Sequence, residues 1–366
     1  MFRANILGKV GYFKTIEEVV DFAFDRFKNC EDDIILKEIQ PSVEDIQRDF
    51  LNLKRFNTKR LDRSFFVFRN LVGIKIANYF MGFRLNLRAK NKKTILEGMR
   101  DKKGFHYFTQ THFRMQRTND IKSIKDIFDR ARIRGGTQEL NNFPPMVAKT
   151  IYEKYCPMED AKLLDWSAGF GGRLIGAMSS RFNYNYVGID PSTKAVEGLN
   201  KLIDFLNVRN RAKIIQKPFE DCDSDLEDNY KEIYSNEETQ SCIKYPEIEK
   251  WRIGFLLASF KILMKKLKEG AFLLVNIANI TDRGKEIDLE NMTIEVGKEV
   301  GFEYLGFKKM LIGNRFSSLS RRRVIKKRRD YNFEKIFVFK KPIRGEVLNI
   351  GSMAEVVPQS NLAGRF

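Results

Sequence analysis

The sequence predicts an α/β protein built on a mostly parallel sheet, preceded by a mainly helical N-terminal domain. Two observations carry this. Leu163-Leu-Asp-Trp-Ser-Ala-Gly-Phe-Gly-Gly-Arg-Leu174 reads as a short buried strand, a glycine-rich turn and a helix. Tyr186-Val-Gly-Ile-Asp190 then reads as a second apolar strand that ends on an acid, 25 positions after Asp165. Strand, tight turn, helix and strand in this order make a parallel crossover unit, and ligands of such sheets bind beyond the carboxyl ends of the strands.

The remaining elements follow from local signals. Thr15-Ile-Glu-Glu18 is a capping box that opens a helix carrying Val19, Val20, Phe22, Phe24 and Phe27. Ser42-Val-Glu-Asp45 opens another, with Ile46, Phe50 and Leu53 on one stripe. Phe65 to Phe80 is strongly apolar, and Gly135-Gly136 closes the N-terminal region. From Asn141 the pattern becomes α/β. Pro144 and Pro145 fix the start of a helix from Met146 to Tyr155. Past the glycine turn, Thr193 to Leu206 is a helix and Ala212 to Gln216 a third strand. Trp251 to Lys266 is an amphipathic helix, Ala271 to Asn276 a strand and Thr293 to Val300 a helix. Phe302 to Ile312 and Phe333 to Phe339 alternate as a terminal strand pair. The division expected is 1–140 helical, 141–342 α/β and 343–366 a polar tail; there is no internal repeat.

Composition is globular, with 43% hydrophobic and 31% charged residues. Cys30, Cys156, Cys222 and Cys242 are scattered without a Cys-x-x-Cys pair, which suits reduced thiols in a cytosolic, cytoplasmic protein. His106 and His112 have no ligand company, so no metal site is expected. No apolar run is long enough to span a membrane, and no secretion signal opens the chain. The net charge of +18 favours a polyanionic partner. The excess is segregated: Arg84 to Arg134 holds 15 Lys/Arg against 5 Asp/Glu, and Arg321-Arg322-Arg323-Val-Ile-Lys326-Lys327-Arg328-Arg329 puts seven cations in nine positions. Segregated charge suggests a binding face; the plain alternative is a solvated basic loop.

The turn itself narrows the ligand. A dinucleotide site aims a Gly-x-Gly-x-x-Gly helix start at a pyrophosphate. Here Asp165 precedes the glycines, where a carboxylate would repel phosphate and suit a cationic amino group. Asp190 is placed to accept both hydroxyl hydrogens of a ribose. Asp165-x-x-x-Gly169-x-Gly171 and Gly188-Ile-Asp190 resemble motifs I and II of S-adenosylmethionine-dependent methyltransferases. The alternative is a glycine-rich turn of an ordinary α/β protein. Over residues 141–341 the order of Asn142-Phe-Pro-Pro145, Asp165 to Gly172, Gly188-Ile-Asp-Pro191, Lys217-Pro-Phe-Glu220, Glu232-Ile-Tyr-Ser235 and Ile336-Phe-Val-Phe339 looks like the phage and bacterial DNA methyltransferases that modify adenine at N6. The resemblance implies a Rossmann-like methyltransferase sheet. It implies that Asn142, Phe143 and Pro144 line the methionine end of S-adenosylmethionine beside Asp165, Ser167, Ala168, Gly169, Gly171 and Gly172. Asp190 would hold the ribose, and Phe219 and Glu220 would flank the adenine. The partner implied is double-stranded DNA with its target base flipped out, gripped by the 321–329 cluster.

One part of the family's pattern is not found. Its chemistry uses an Asp/Asn/Ser-Pro-Pro-aromatic tetrapeptide at the tip of the fourth strand to accept hydrogen bonds from the target amine. Asp221-Cys-Asp-Ser-Asp-Leu-Glu-Asp-Asn-Tyr-Lys-Glu-Ile-Tyr-Ser235 holds neither a Pro-Pro pair nor an apolar run. A central strand and its loop, about ten residues or more, are therefore expected to be missing or replaced near Tyr230 to Glu232. Either Ala271 to Asn276 moves in beside the first strand, or a segment such as Asp228 to Tyr234 substitutes. Asn276 and Asn279 end a strand on the cofactor side, as substrate contacts or as a plain polar pair. The catalytic residues stay unassigned. The readings are a DNA adenine methyltransferase, from a phage or a restriction-modification context, or a non-catalytic DNA-binding protein that keeps the fold. A methyltransferase for RNA or a small molecule is the third.

Overall fold

The computed structural model describes residues 1–60, 62–63, 66–68, 70–87, 93–134, 142–236, 247–282, 285–311 and 333–343. The chain opens with a hairpin of β1 (Phe2–Ile6) and β2 (Lys9–Phe13), followed by α1 (Ile16–Phe27), α2 (Asp32–Ile39) and α3 (Val43–Arg55). Two short strands, β3 (Asp62–Arg63) and β4 (Phe66–Phe68), precede α4 (Ile74–Phe80), α5 (Ile95–Arg100), α6 (Lys102–Gln116), β5 (Asp120–Ile121) and α7 (Ile124–Arg134). The α/β half runs α8 (Pro145–Tyr155), β6 (Lys162–Asp165), α9 (Gly172–Met178), β7 (Asn185–Ile189), α10 (Thr193–Leu206), β8 (Ala212–Ile215) and β9 (Tyr230–Asn236). Next come α11 (Ile248–Trp251), a π-helical stretch (Arg252–Leu257) and α12 (Ala258–Lys266), which run on as one rod. The chain closes with β10 (Leu267–Asn276), β11 (Ile280–Asp282), β12 (Lys285–Ile287), α13 (Leu289–Val300), β13 (Glu303–Leu311) and β14 (Phe333–Lys340).

The main sheet has the order β3-β4-β13-β14-β10-β9-β6-β7-β8. Strands β6 to β10 are all parallel, and β14 runs antiparallel between β10 and β13. Within the α/β half this is a doubly wound, Rossmann-like sheet whose order reverses between β6 and β9. Alternation along the strands sends side chains to two separate cores. Leu163, Leu274, Ile336 and Val338 face a cluster with α8, α9 and α10. Leu164, Leu273, Val275, Phe337 and Phe339 face the other, under α12, the π stretch and α13.

Of the two replacements expected for the central strand, the one near Asp228 to Tyr234 is the one the fold uses. β9 occupies the central slot, with Leu164 opposite Ile233 on one side and Leu273 opposite Ile233 on the other. A strand buried on both faces normally shows an apolar run, which this segment lacks. What the central position demands is backbone: an empty slot would leave two rows of ladder groups unpaired. The polar segment Tyr230–Asn236 supplies that ladder, so Ala271 to Asn276 does not shift inward. The segment after β9, where a catalytic loop is expected, lies outside the described residues. So do the 321–329 cluster and the tail from 344.

The N-terminal half divides differently from the expected boundary. β1, β2 and β5 form a separate three-stranded sheet. It shares a core with α1, α2, α5, α6 and α7 through Ala4, Ile6, Phe27, Phe105 and Ile127. By contrast, Ile46, Leu53, Ile76, Ala77 and Met81 are buried with the α/β core, and β4 pairs in parallel with β13. Residues 43–81 thus pack as part of the α/β half.

Lys149 explains how they are tied down. Only 1% of this lysine is exposed, and its Nζ donates to the carbonyls of Leu53, Lys54 and Phe56 at 2.7, 2.9 and 3.3 Å. Those carbonyls end α3, where a cation also meets the negative end of the helix dipole. Burial lowers the Lys149 pKa, with Glu153 acting in the opposite sense. Beside it, Glu153 accepts from Thr58 Oγ1 at 2.6 Å and from Ser180 Oγ at 3.1 Å. Lys149→Met is expected to cost about 2–4 kcal/mol, because the buried carbonyls lose their donor. A denaturant titration checks this; Val147→Ala, a plain cavity in the same helix, is the comparison.

Candidate functional site

The glycine turn sits at the carboxyl edge of β6, where the sheet order reverses. Its shape follows from three close approaches. Gly169 and Gly171 hold φ of +55° and +78°, which a side chain resists. A Cβ on Gly172 would lie 1.9 Å from the Phe143 carbonyl oxygen, so the α9 start can press against the α8 start only as glycine. Asn142 completes this contact by donating Nδ2 to Phe170 O at 2.8 Å. Asn142, Phe143 and Pro144 are buried. They therefore brace the turn from behind, and Ala168 is fastened to β7 by its N–H to Ile189 O at 2.8 Å.

Asp190 joins the turn to β7. Its Oδ2 accepts from Gly169 N and its Oδ1 from Ser192 N, each at 2.9 Å. Each oxygen keeps a further acceptor direction. Burial raises the Asp190 carboxyl above the ordinary aspartate range, against the lowering effect of the Ser192 and Gly169 amides. Apart from its chain neighbours, a Cβ on Gly169 would meet only Ser167 O, at 3.6 Å.

Asp165 behaves differently from the expectation that it pairs with a cationic ligand. It is wholly buried, and its Oδ2 accepts from Arg173 Nε at 2.8 Å and from the Tyr186 hydroxyl. Its Oδ1 accepts from Ser167 N at 3.3 Å, and Arg173 also donates to Ser167 O. Burial acts to lower the Arg173 pKa, but Asp165 outweighs it and the group is raised. Burial first, and Asp165 second, push the Tyr186 hydroxyl well above its usual value. The carboxylate is thus consumed inside the protein, where a buried charge requires a partner. Arg173 was legible in principle: a cation in the first turn of a helix opposes the dipole and asks for a nearby acid.

Phe219, expected to flank the adenine, belongs to an aromatic cluster. It is 2% exposed and packs edge-on against Trp166 at 5.4 Å between ring centres. Trp166 is stacked on Phe255 at 5.7 Å, a residue presented by the π-helical stretch. This aromatic plug lies under the sheet's second face, while Glu220 is half-buried beside it. Asn279 is spent on local structure, bonding Glu286 and the Glu290 amide at 3.0 Å each. Asn276 is held by a single bond, from its Nδ2 to Lys335 O at 2.8 Å. Both histidines lie on α6, remote in the fold from this edge. None of the described helices is long and apolar enough to cross a membrane.

Arg173→Met is expected to destabilise the protein by about 3–5 kcal/mol, because it strands a buried carboxylate. The double change with Asp165→Asn recovers part of that loss, and a double-mutant cycle by denaturant unfolding checks the coupling.

No family model and no curated protein matches the chain. Among solved structures it is similar to an rRNA methylase from Streptococcus thermophilus, with TM-score 0.35 and 12% identity over 56% of this chain and 99% of that one. It is similar also to geranyl diphosphate C-methyltransferase from Streptomyces coelicolor A3(2), with TM-score 0.38 and 12% identity over 54% and 81%. A third likeness is to the cyclase SpnF, with TM-score 0.39 and 15% identity over 56% and 84%. At this level the likenesses settle neither substrate nor reaction.

Proposed function

We propose that the chain binds S-adenosylmethionine at the glycine turn and transfers its methyl group to nucleic acid, the acceptor being an adenine amine of DNA. The observation that carries the donor site is Asp190. Its carboxylate is fixed by two backbone amides at the point where strand order reverses, and both oxygens retain acceptor capacity. A ribose presents two adjacent hydroxyl donors, which is the pattern such a carboxylate matches. Gly169, which has no side chain, would let a ligand approach the backbone of the turn. When bound, the donor supplies an electrophilic methyl on a sulfonium centre.

The chain's own groups divide the remaining work. Arg173 and Tyr186 lock Asp165 and so hold the β6 end against the turn. Asn142 and Phe143 fix the height of the α9 start. Asp165 is bonded to Arg173 and Tyr186, so backbone carbonyls of the turn take the cationic amino group in this reading. The nucleic-acid part rests on the charge of +18 and on the segments whose ends lie at the same edge. β13 ends and β14 begins there, Leu311 opposite Phe333, and the sequence between them, which includes 321–329, lies outside the described residues. The resemblance to adenine-N6 enzymes supplies the base and atom. A non-catalytic DNA-binding protein with a retained donor pocket is the second reading, favoured by the tetrapeptide not found in the sequence.

Titration calorimetry with S-adenosylhomocysteine tests the pocket. Asp190→Asn is expected to weaken binding about 10- to 100-fold, as loss of a charged acceptor does. Acidification acts on the same group. The accepting form is the ionised one, and the carboxyl is raised, so affinity declines on lowering the pH sooner than for an ordinary aspartate. Below the raised pKa the decline approaches about tenfold per pH unit. Labelled methyl transfer to unmethylated DNA separates the two readings. Formation of N6-methyladenine sinks the non-catalytic one.

A further inference from the structure

We infer that the side-chain oxygen of Asn276 is the hydrogen-bond acceptor for the exocyclic amine of the substrate base, in the role that the unfound tetrapeptide would fill. This rests on the donor site proposed above. Asn276 is 2% exposed and ends β10, one strand from the end of β9. Its orientation is fixed by chemistry: Lys335 O is a carbonyl, so only the NH2 of the amide can face it. The oxygen is then committed to the other direction, and it has no partner among the described residues. An unmet buried acceptor destabilises the free protein, and a bound donor would offset that cost.

Register places this acceptor at the working edge. Leu164 and Leu273 both lie opposite Ile233, and Asn276 lies opposite Asn236, three residues further along. That level is just past the end of β6, where the glycine turn begins. Asn276 is two strand spacings, about 10 Å, from β6 across the sheet. Alternation from Leu274 puts it on the face shared with Leu163 and Asp165.

A carboxamide oxygen accepts a hydrogen bond without taking up the proton, which suits an amine better than a hydroxyl that must be deprotonated first. Accepting from an aromatic amine draws the nitrogen lone pair out of conjugation. The nitrogen attacks the methyl carbon as the carbon–sulfur bond breaks, and the bonding electrons stay on sulfur as a neutral thioether. The methylated ammonium then loses its proton to water.

The test uses the full chain saturated with S-adenosylhomocysteine, which occupies the donor pocket. Two probes are compared by ligand-observed NMR titration: 2′-deoxyadenosine and purine 2′-deoxyriboside, identical except for the amine. The protein is expected to prefer the amine about tenfold. Asn276→Ala and the volume-conserving Asn276→Leu reduce that preference to within twofold, while S-adenosylhomocysteine affinity stays within twofold of the parent. Preference that persists in both variants overturns the inference. So does its absence in the parent protein, the result expected if water satisfies Oδ1. Failure of the parent to bind S-adenosylhomocysteine instead overturns the donor site, and the inference falls with it.

Discussion

A carboxylate taken completely out of water has to be matched, and the geometry of this protein is organised around one that is. Asp165 ends the first strand of the α/β half, and Arg173 and Tyr186 converge on it from the helix and strand that follow. Three consecutive elements of the crossover unit therefore meet at two oxygens. Removing the pair in favour of apolar side chains would sacrifice little free energy in principle, since desolvation offsets much of the attraction. What the pair contributes is direction. Arg173 also reaches Ser167 O, so the backbone leaving β6 has one path available, and that path ends under the amide that holds Asp190.

Much of this was legible because it is local. The capping box at Thr15 and Glu18 forms as read, with both reciprocal bonds. The terminal strand pair forms too, as β13 and β14. Signals failed where tertiary demand replaced local preference. The β1–β2 turn carries Leu7 at φ +51° before Gly8, in place of the Asn-Gly pair that announces such a hairpin. β9 is polar, yet it forms because neighbours on both sides need its backbone. Asp165 meets Arg173 eight positions on and across a turn, a contact that no local signal announces. Asp190, expected from the sequence to hold a ribose, follows β7 and is bonded to the turn through the Gly169 amide.

The two faces of the sheet carry different responsibilities. Under one, Trp166, Phe219, Phe255 and Phe260 fill the space below the turn with rings at 5.4 to 6.2 Å. That face is closed by aromatic packing, and the π-helical stretch widens the rod enough to deliver Phe255 to it. On the other face lie the polar groups, Asp165 and Asn276, each oriented by a neighbour's hydrogen bond. A solid floor of this kind holds the groups above it in place, Asp165 on Arg173 and Tyr186 and Asn276 on Lys335.

The anchoring of α3 by Lys149 bears on how this chain can be inherited. A side chain from the middle of α8 terminates a helix nearly a hundred positions earlier, and β4 extends the large sheet from the same early region. The first 140 residues are therefore not one block, because α3 and β4 are built into the α/β half. Exchange of the first 140 residues for those of another protein would strip the sheet of an edge and α8 of its cover. The small N-terminal sheet and its own helices have a separate core, so changes there leave the supports of the glycine turn untouched.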